Sequence, residues 1–376
     1  MELNLETLSD EEFRKRVPAV VYLGFLILLG LPGNVSVLIA YTRFYNRTTH
    51  RVFILALAAV DTVSCIISMP FEIVELRYQY TFYAEAACKS FRFITGVFAV
   101  VSPMVLMGLA FNRFRLVCQP LKPQMTIKMA YIGCGISFAL SLLLCLPTIP
   151  FTGTRLVQLK NNITGYDCSV DDNFKNSKFR IYYYGFLTLL VVICIIVLTV
   201  IYSCIARRVY QHTRHKAKIL KRTAQNLKRT DEKGHIIKPT GNQSINLELS
   251  LTSEDISQRT EETAISNQNK DVRTKDNNTS KRKSVPLETN VKKSVTKIAF
   301  LVSFVFIISY VPHLVLNIGS SIKGYYFVPP SPLASAILPI LSRSYFLSSV
   351  LNPIIYCFCD ARFRNVLKRA VHVNCE

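Results

Sequence analysis

Apolar residues gather in seven long blocks along the chain, at residues 17–41, 54–76, 90–116, 129–151, 181–206, 297–319 and 334–357. Each is about 20 residues or longer, the length a helix rising ~1.5 Å per residue needs to cross ~30 Å of hydrocarbon. The clearest lies in CKSFRFITGVFAVVSPMVLMGLAFNRFRLVCQ, apolar from Phe93 to Phe111, with Cys88 at one mouth and Asn112-Arg113-Phe114 at the other. A soluble core helix of that length would show a polar face. The pattern predicts an all-α membrane protein, a seven-transmembrane helix bundle.

The polar stretches divide the rest. Residues 1–16 carry Glu2, Glu6, Asp10, Glu11 and Glu12 and read as an extracellular N-terminus. They lack the basic start and small-residue cleavage site of a signal peptide, so the first span is expected to act as its own insertion signal. The seven-helix domain is expected over 17–357, with a long cytoplasmic loop at 207–296. Within that loop 223–290 is rich in Asn, Ser, Thr, Lys and Glu and shows no period, so disorder is expected. The basic flanks 207–227 and 281–297 should continue the neighbouring helices; Ser284 and Ser294 follow basic runs and are candidate phosphorylation sites. In the tail, 358–376, Phe363, Val366, Leu367, Ala370 and Val371 fall on one helical face, and Arg362, Arg364, Lys368 and Arg369 on the other. This predicts a short amphipathic helix on the inner leaflet, contacting membrane lipids. Cys375 is either lipidated there or a plain thiol.

Half of the residues are hydrophobic, yet 45 Lys and Arg face 24 Asp and Glu, a net charge of +21. The basic residues are interleaved between apolar blocks rather than spread over one domain, which argues against nucleic acid as a partner. Most sit in alternate connections, and the positive-inside rule then puts the N-terminus outside and the C-terminus in the cytoplasm. Arg14-Lys15-Arg16 argue the other way and are outvoted. Asn162-Ile163-Thr164 is the glycosylation sequon on the outer side; those at Asn46, Asn242, Asn277 and Asn278 would lie inside. The eleven cysteines show no Cys-x-x-Cys metal spacing.

Polar groups within spans are costly. Asn34, Asp61, Ser102, Ser348, Ser349 and Asn352 are such groups. They form either a polar knot that fixes packing or a small-cation site with Asp61 as the charged ligand. Pro103, Pro312 and the Pro353 of Asn352-Pro353-Ile354-Ile355-Tyr356 each remove a backbone donor and should kink their spans.

Seven spans, outer Cys88 with Cys168, Leu57 and Asp61 in the second span, Arg113 at the inner end of the third, and NPIIY with Phe363 seven residues on together resemble the rhodopsin-like (class A) G-protein-coupled receptors. The likeness covers residues 17–371 apart from the long loop. The loops, Pro70 and Asn317 place it nearest to neuropeptide receptors of the invertebrate type. The resemblance implies a plasma-membrane receptor, not an enzyme, that turns binding of an extracellular peptide into nucleotide exchange on a heterotrimeric G protein, with arrestin and receptor kinases as further partners. It implies a Cys88–Cys168 disulfide over the pocket, and no cofactor beyond an allosteric sodium ion at Asp61, Ser102, Ser348 and Asn352. Coupling and activation would fall to Asn112, Arg113, Phe114, Tyr202, Phe306, Pro312, Asn352, Pro353 and Tyr356.

The departures are specific. Asn112 replaces the acid that would pair with Arg113, Phe114 replaces a tyrosine, and Tyr310 stands where the family has tryptophan, in a chain with no Trp. A neutral Asn112 should weaken the inactive-state lock and raise basal signalling. Thr95 sits where amine receptors carry an acid, and Phe346 where opsins carry their lysine. The ligand pocket is expected to use Glu72, Arg92, Thr95, Phe186, Tyr310, His313, Asn317 and Arg343. Glu72 could instead pair structurally with Arg92 or Arg343; Glu75 lies on the same face, and the loop acids Asp171 and Asp172 could steer a basic ligand. A non-signalling scavenger is a second reading. A transporter is a third, against which stand the lack of internal repeats and the single midplane acid.

Overall fold

The computed structural model describes residues 4–159, 163–174, 177–232, 285–323 and 331–373. Asn162 and Cys375 fall outside them, as do residues 233–284 of the long loop. Two compact units are distinguished: Met1–Asn112 with Met125–Val200 and Lys292–Glu376, and Arg113–Gln124 with Ile201–Val291.

The first helix, α1 (Leu5–Phe44), starts twelve residues before the apolar block at 17. Its start is fixed by a reciprocal cap, in which Thr7 N donates to Asn4 Oδ1 at 2.8 Å and Asn4 N to Thr7 Oγ1 at 3.2 Å. Charges then hold the polar turns in place: Arg77 reaches Asp10 at 2.9 Å and lies over the Phe13 ring, and Arg16 holds Glu12 at 3.1 Å while donating to Gln79. Composition alone marked 1–16 as a polar tail; a cap and the distant partners Arg77 and Gln79 make most of it helix.

The second span is α2 (Thr49–Val63), a π-helical turn at Ser64–Ser68, and α3 (Met69–Arg77). It is followed by α4 (Glu85–Cys118), α5 (Ile127–Cys145) and the short α6 (Thr148–Phe151). A hairpin of β1 (Thr152–Gln158) and β2 (Thr164–Val170) comes next, pairing Thr154 with Cys168. The helix α7 (Lys178–Glu232) runs well past its apolar block, as the basic flank suggested, and α8 (Val285–Lys323) carries the sixth. Then come α9 (Pro332–Ser342), α10 (Phe346–Cys359) and α11 (Ala361–Val373). Among the described residues six helices are long and apolar enough to cross a membrane, and seven if α9 and α10 count as one span.

That pair corrects an expectation. The seventh block was read as continuous with its kink at Pro353, but the chain breaks at Arg343–Tyr345, with 64° between α9 and α10. Hydrogen bonds to the sixth span stabilise the break. His313 Nδ1 lies 2.5 Å from Ser342 O, and Ser344 Oγ donates to Ser309 O at 2.6 Å. Pro353 stays inside α10 because the carbonyl its missing N–H would have taken, Ser349 O, accepts Asn34 Nδ2 at 2.9 Å instead.

Asn34 gets that close because α1 has no side chain at Gly30 or Gly33. A Cβ on Gly30 would sit 2.9 Å from both Cys65 Sγ and Val350 Cγ2, and one on Gly33 would be 3.0 Å from Pro353 Cβ. Small residues let membrane helices approach until backbone and amide groups meet.

At the Cys88 end, the disulfide Cys88–Cys168 ties β2 to the first turns of α4. The hairpin also continues the 78–82 segment as a strand would: Tyr166 N donates to Tyr80 O at 2.8 Å, and Phe82 N to Tyr166 O at 2.9 Å. Between the strands Arg155 holds Asp167 at 2.7 Å, both buried; burial pushes the Asp167 carboxyl up and Arg155 draws it back. In the second unit the turn after α4 is closed by Gln124 Nε2, which donates to Lys122 O at 2.8 Å and Gln119 O at 3.1 Å.

Gly30→Val should lower stability by about 1–3 kcal/mol, the usual cost of overpacking, and Gly30→Ala should recover part of it when combined with Val350→Ala. Thermal unfolding of the purified protein reads both. An unchanged midpoint in Gly30→Val would disprove the close contact.

Candidate functional site

At the Cys88 end the structure gathers four charges from three elements into a closed ring. Glu72 and Glu75 project from one face of α3, Arg92 from α4, and Arg343 from the break before α10. Arg343 Nε holds Glu72 Oε2 at 2.7 Å, and Arg343 Nη2 lies 3.7 Å from Glu75 Oε1. Arg92 Nη1 lies 3.4 Å from Glu72 Oε1, and its Nη2 pairs with Glu75 Oε2. Each arginine bridges both acids, so the ring is charge-balanced, the form in which buried ions are tolerable. Arg92 keeps 29 % of its side chain exposed against 4 % for Glu72, so it is the member open to a ligand.

Next to the ring, Tyr345 at the break packs edge-on against His313, with centroids 4.8 Å apart. The ring of Tyr310 lies 4.2 Å from Phe306, and its hydroxyl donates to Ala99 O at 3.1 Å. Tyr310 therefore joins α8 to α4 by a hydrogen bond. Asn317 Nδ2 reaches His313 Nε2 at 2.8 Å and is itself exposed. Thr95 is buried with its hydroxyl unpartnered.

Seven of the eight expected pocket residues thus lie at this end, and one departs. Phe186 is exposed on the same α7 stripe as Leu189, Ile193, Ile196 and Val200. Helical spacing puts it on the outer, lipid-facing side of its helix, where it joins none of the others. Tyr345 was missed because an aromatic within an apolar block carries no charge or period that sets it apart.

Midway along the spans, Asn352 Nδ2 donates to Asp61 Oδ2 at 2.8 Å. Asp61 Oδ1 and Asn352 Oδ1 are buried without hydrogen-bond partners. Ser349 is buried on α10 one turn before Asn352. Ser348, expected at Asp61, instead donates its hydroxyl to Tyr345 O at 2.7 Å, the carbonyl that its own backbone N–H reaches at 3.2 Å. Ser102 is buried on α4.

Farther along, Asn112 and Arg113 are both buried at the end of α4, and the Asn112 amide nitrogen has no partner. Phe306 is fully buried, Pro312 lies inside α8 and half-buried, Phe114 is half-buried, and Tyr202 is buried on α7. Tyr356, buried in α10, packs against Phe363 of α11 at 6.4 Å and Tyr41 of α1 at 6.0 Å. Asp360 organises this corner. Its Oδ1 caps α11, accepting from Arg362 N at 2.9 Å and Phe363 N at 3.3 Å. Its Oδ2 accepts from Tyr45 at 2.6 Å and Tyr41 at 3.2 Å. Burial and the nearby carboxylate push the Tyr45 hydroxyl well above its ordinary pKa. The sequence reading overlooked Asp360, although an acid just before an amphipathic helix is an N-cap signal.

The description "7 transmembrane receptor (rhodopsin family)" matches residues 33–356, from Gly33 through Tyr356 of NPIIY. The chain belongs to that rhodopsin-like receptor family. The receptor is 23 % identical over 348 residues to a cholecystokinin receptor of Xenopus laevis, covering 92 % of this chain and 74 % of that one. It is 27 % identical over 229 residues to the neuropeptide F receptor of Drosophila melanogaster, covering 58 % and 46 %. Its fold is similar to that of squid rhodopsin, with a TM-score of 0.63 at 17 % identity over 98 % of this chain and 87 % of the other. The receptor is a multi-span membrane protein of the seven-helix bundle fold and not an enzyme.

Glu72→Gln leaves Arg343 buried beside a neutral amide and should cost about 3 kcal/mol, while the Glu72→Gln/Arg343→Gln pair should cost less than the sum of the single changes. A double-mutant cycle on thermal stability tests this. Strict additivity would sink the ring as an interacting unit.

Proposed function

We propose that this receptor is activated by a peptide reaching it from outside the cell and passes the signal to a heterotrimeric G protein in the cytoplasm, with the Cys88 end extracellular and α11 on the inner leaflet of the plasma membrane. The observation that carries this is the charge-balanced ring of Glu72, Glu75, Arg92 and Arg343 beside the disulfide-tied hairpin. A peptide brings both charge signs and backbone amides, and so can exchange partners with such a ring. An ammonium ligand has no dedicated counter-ion at Thr95, and retinal has no lysine at Phe346. Peptide receptors for cholecystokinin and neuropeptide F among the relatives support the same reading.

Within it, binding shifts the population between two helix packings. Arg113 is the group that meets the G protein, Asn112 holds it only weakly, and Tyr202 and Tyr356 are the tyrosines that change place on activation. Asp61, with Asn352 and Ser102, is suited to a sodium ion in the inactive packing, because two buried oxygens there, Asp61 Oδ1 and Asn352 Oδ1, lack donors. Arrestin and receptor kinases would follow activation, and Cys375 and Asn162 remain candidate lipidation and glycosylation positions.

Calcium and cyclic AMP output in cells challenged with fractionated neuropeptide extracts should respond in wild type and fall to background in Arg113→Ala at matched surface level. Asn112→Asp should lower basal output. Silence on every fraction would favour a scavenger that binds without coupling, and Arg113→Ala signalling like wild type would overturn the coupling role. Replacing sodium by choline in the medium should raise basal output in wild type and leave Asp61→Asn unchanged; an equal rise in both would remove the ion from the site.

A further inference from the structure

Pro103 and Pro353 each leave a carbonyl of their own helix without its usual donor, and each carbonyl is met by a side chain from another span. Pro353 frees Ser349 O, which Asn34 fills. Pro103 lies buried inside α4 and has no N–H to offer Ala99 O, four residues back. The Tyr310 hydroxyl of α8 donates to that same Ala99 O at 3.1 Å. With the proline inside it, α4 still runs as one helix from Glu85 to Cys118.

This changes what the bond is worth. In an ordinary helix a hydroxyl that reaches a carbonyl adds a second bond to one already made. Here the hydroxyl stands in for the helical donor. Tyr310 is buried, and the fully buried Phe306 packs on its ring at 4.2 Å. A carbonyl that loses its donor within a span has no bulk water to turn to. Drawing α8 away from α4 therefore costs a bare carbonyl, whereas without Pro103 the same carbonyl would keep its own N–H.

The same turn of α8 is tied to the seventh span, where Ser309 O accepts from Ser344 Oγ at 2.6 Å and His313 Nδ1 lies 2.5 Å from Ser342 O. Those bonds end at the break that carries Arg343, and Tyr345 of that break lies 5.8 Å from Tyr310, ring to ring. In this packing the charge ring is closed on itself, each arginine spanning both acids, which makes it the resting packing. We propose that Pro103 and Tyr310 are a matched pair that latches α8 to α4 in the resting receptor, the proline creating the acceptor and the phenol filling it. Tyr310 is thus a positioning residue that sets how far the signalling packing is populated without ligand. The proposal rests on the two-packing reading above and names the bond that holds the balance.

The test combines basal calcium and cyclic AMP output, at matched surface level, with amide hydrogen exchange of the purified full-length receptor in nanodiscs. Tyr310→Phe removes one oxygen; it should raise basal output about threefold or more, the worth of one buried hydrogen bond, and speed exchange across residues 297–319. Pro103→Ala gives Ala99 O a helical donor, so in that background Tyr310→Phe should have less than about a third of its effect on both readouts. Should Pro103→Ala not reach the surface, Pro103→Val supplies the same N–H. A tyrosine that merely packed would give equal effects in both backgrounds, and that result would overturn the proposal. So would exchange unchanged by Tyr310→Phe. Exchange is read without a G protein: silent output in every variant, with the exchange pattern as expected, would remove the coupling reading and leave the latch standing.

Discussion

One hydrogen bond makes the arrangement of three spans possible, the donation from Asn34 Nδ2 to Ser349 O. In hydrocarbon a free carbonyl has no water to turn to. Pro353 creates such a carbonyl one turn earlier, and without Asn34 the proline would cost α10 an unsatisfied group or a kink. Asn34 also donates to Gly30 O at 2.9 Å, so the same amide ties its own helix to its neighbour. Bare backbone at Gly30 and Gly33 sets the distance, the amide uses it, and Asn352 of the same turn is then free to hold Asp61.

The charge ring depends on a second departure from regular helix. Arg343 is at hand for Glu72 and Glu75 because the seventh span breaks there, and the break is tolerable because His313, Ser344 and Ser309 occupy its loose ends. Local irregularity and site are thus one feature. The π-helical turn at Ser64–Ser68 plays a similar part in the second span, since a change of helical phase there sets which face carries the two acids.

The apolar blocks located the spans well, because hydrocarbon thickness is a one-dimensional constraint that length and hydropathy express directly. Asp61, Asn34 and Asn352 were legible for the same reason, being expensive where they stand. What the residues did not reveal depends on partners far along the chain. The helix of 5–16 needs Arg77 and Gln79; the break at Arg343 needs the sixth and second spans; Ser348 turns its hydroxyl back to the Tyr345 carbonyl. Phe186 was misplaced by taking helical position as facing direction, which its stripe with Leu189 and Ile193 corrects. Asp360 was within reach, but attention to the amphipathic face passed over the residue before it.

The first helix ends with a mechanical consequence. Its 40 residues, about 60 Å, are gripped at both ends, by Arg77 on Asp10 and by Asp360 on Tyr41 and Tyr45. One helix therefore links the 78–82 segment beside the hairpin to the cap of α11 along the side of the bundle's polar centre.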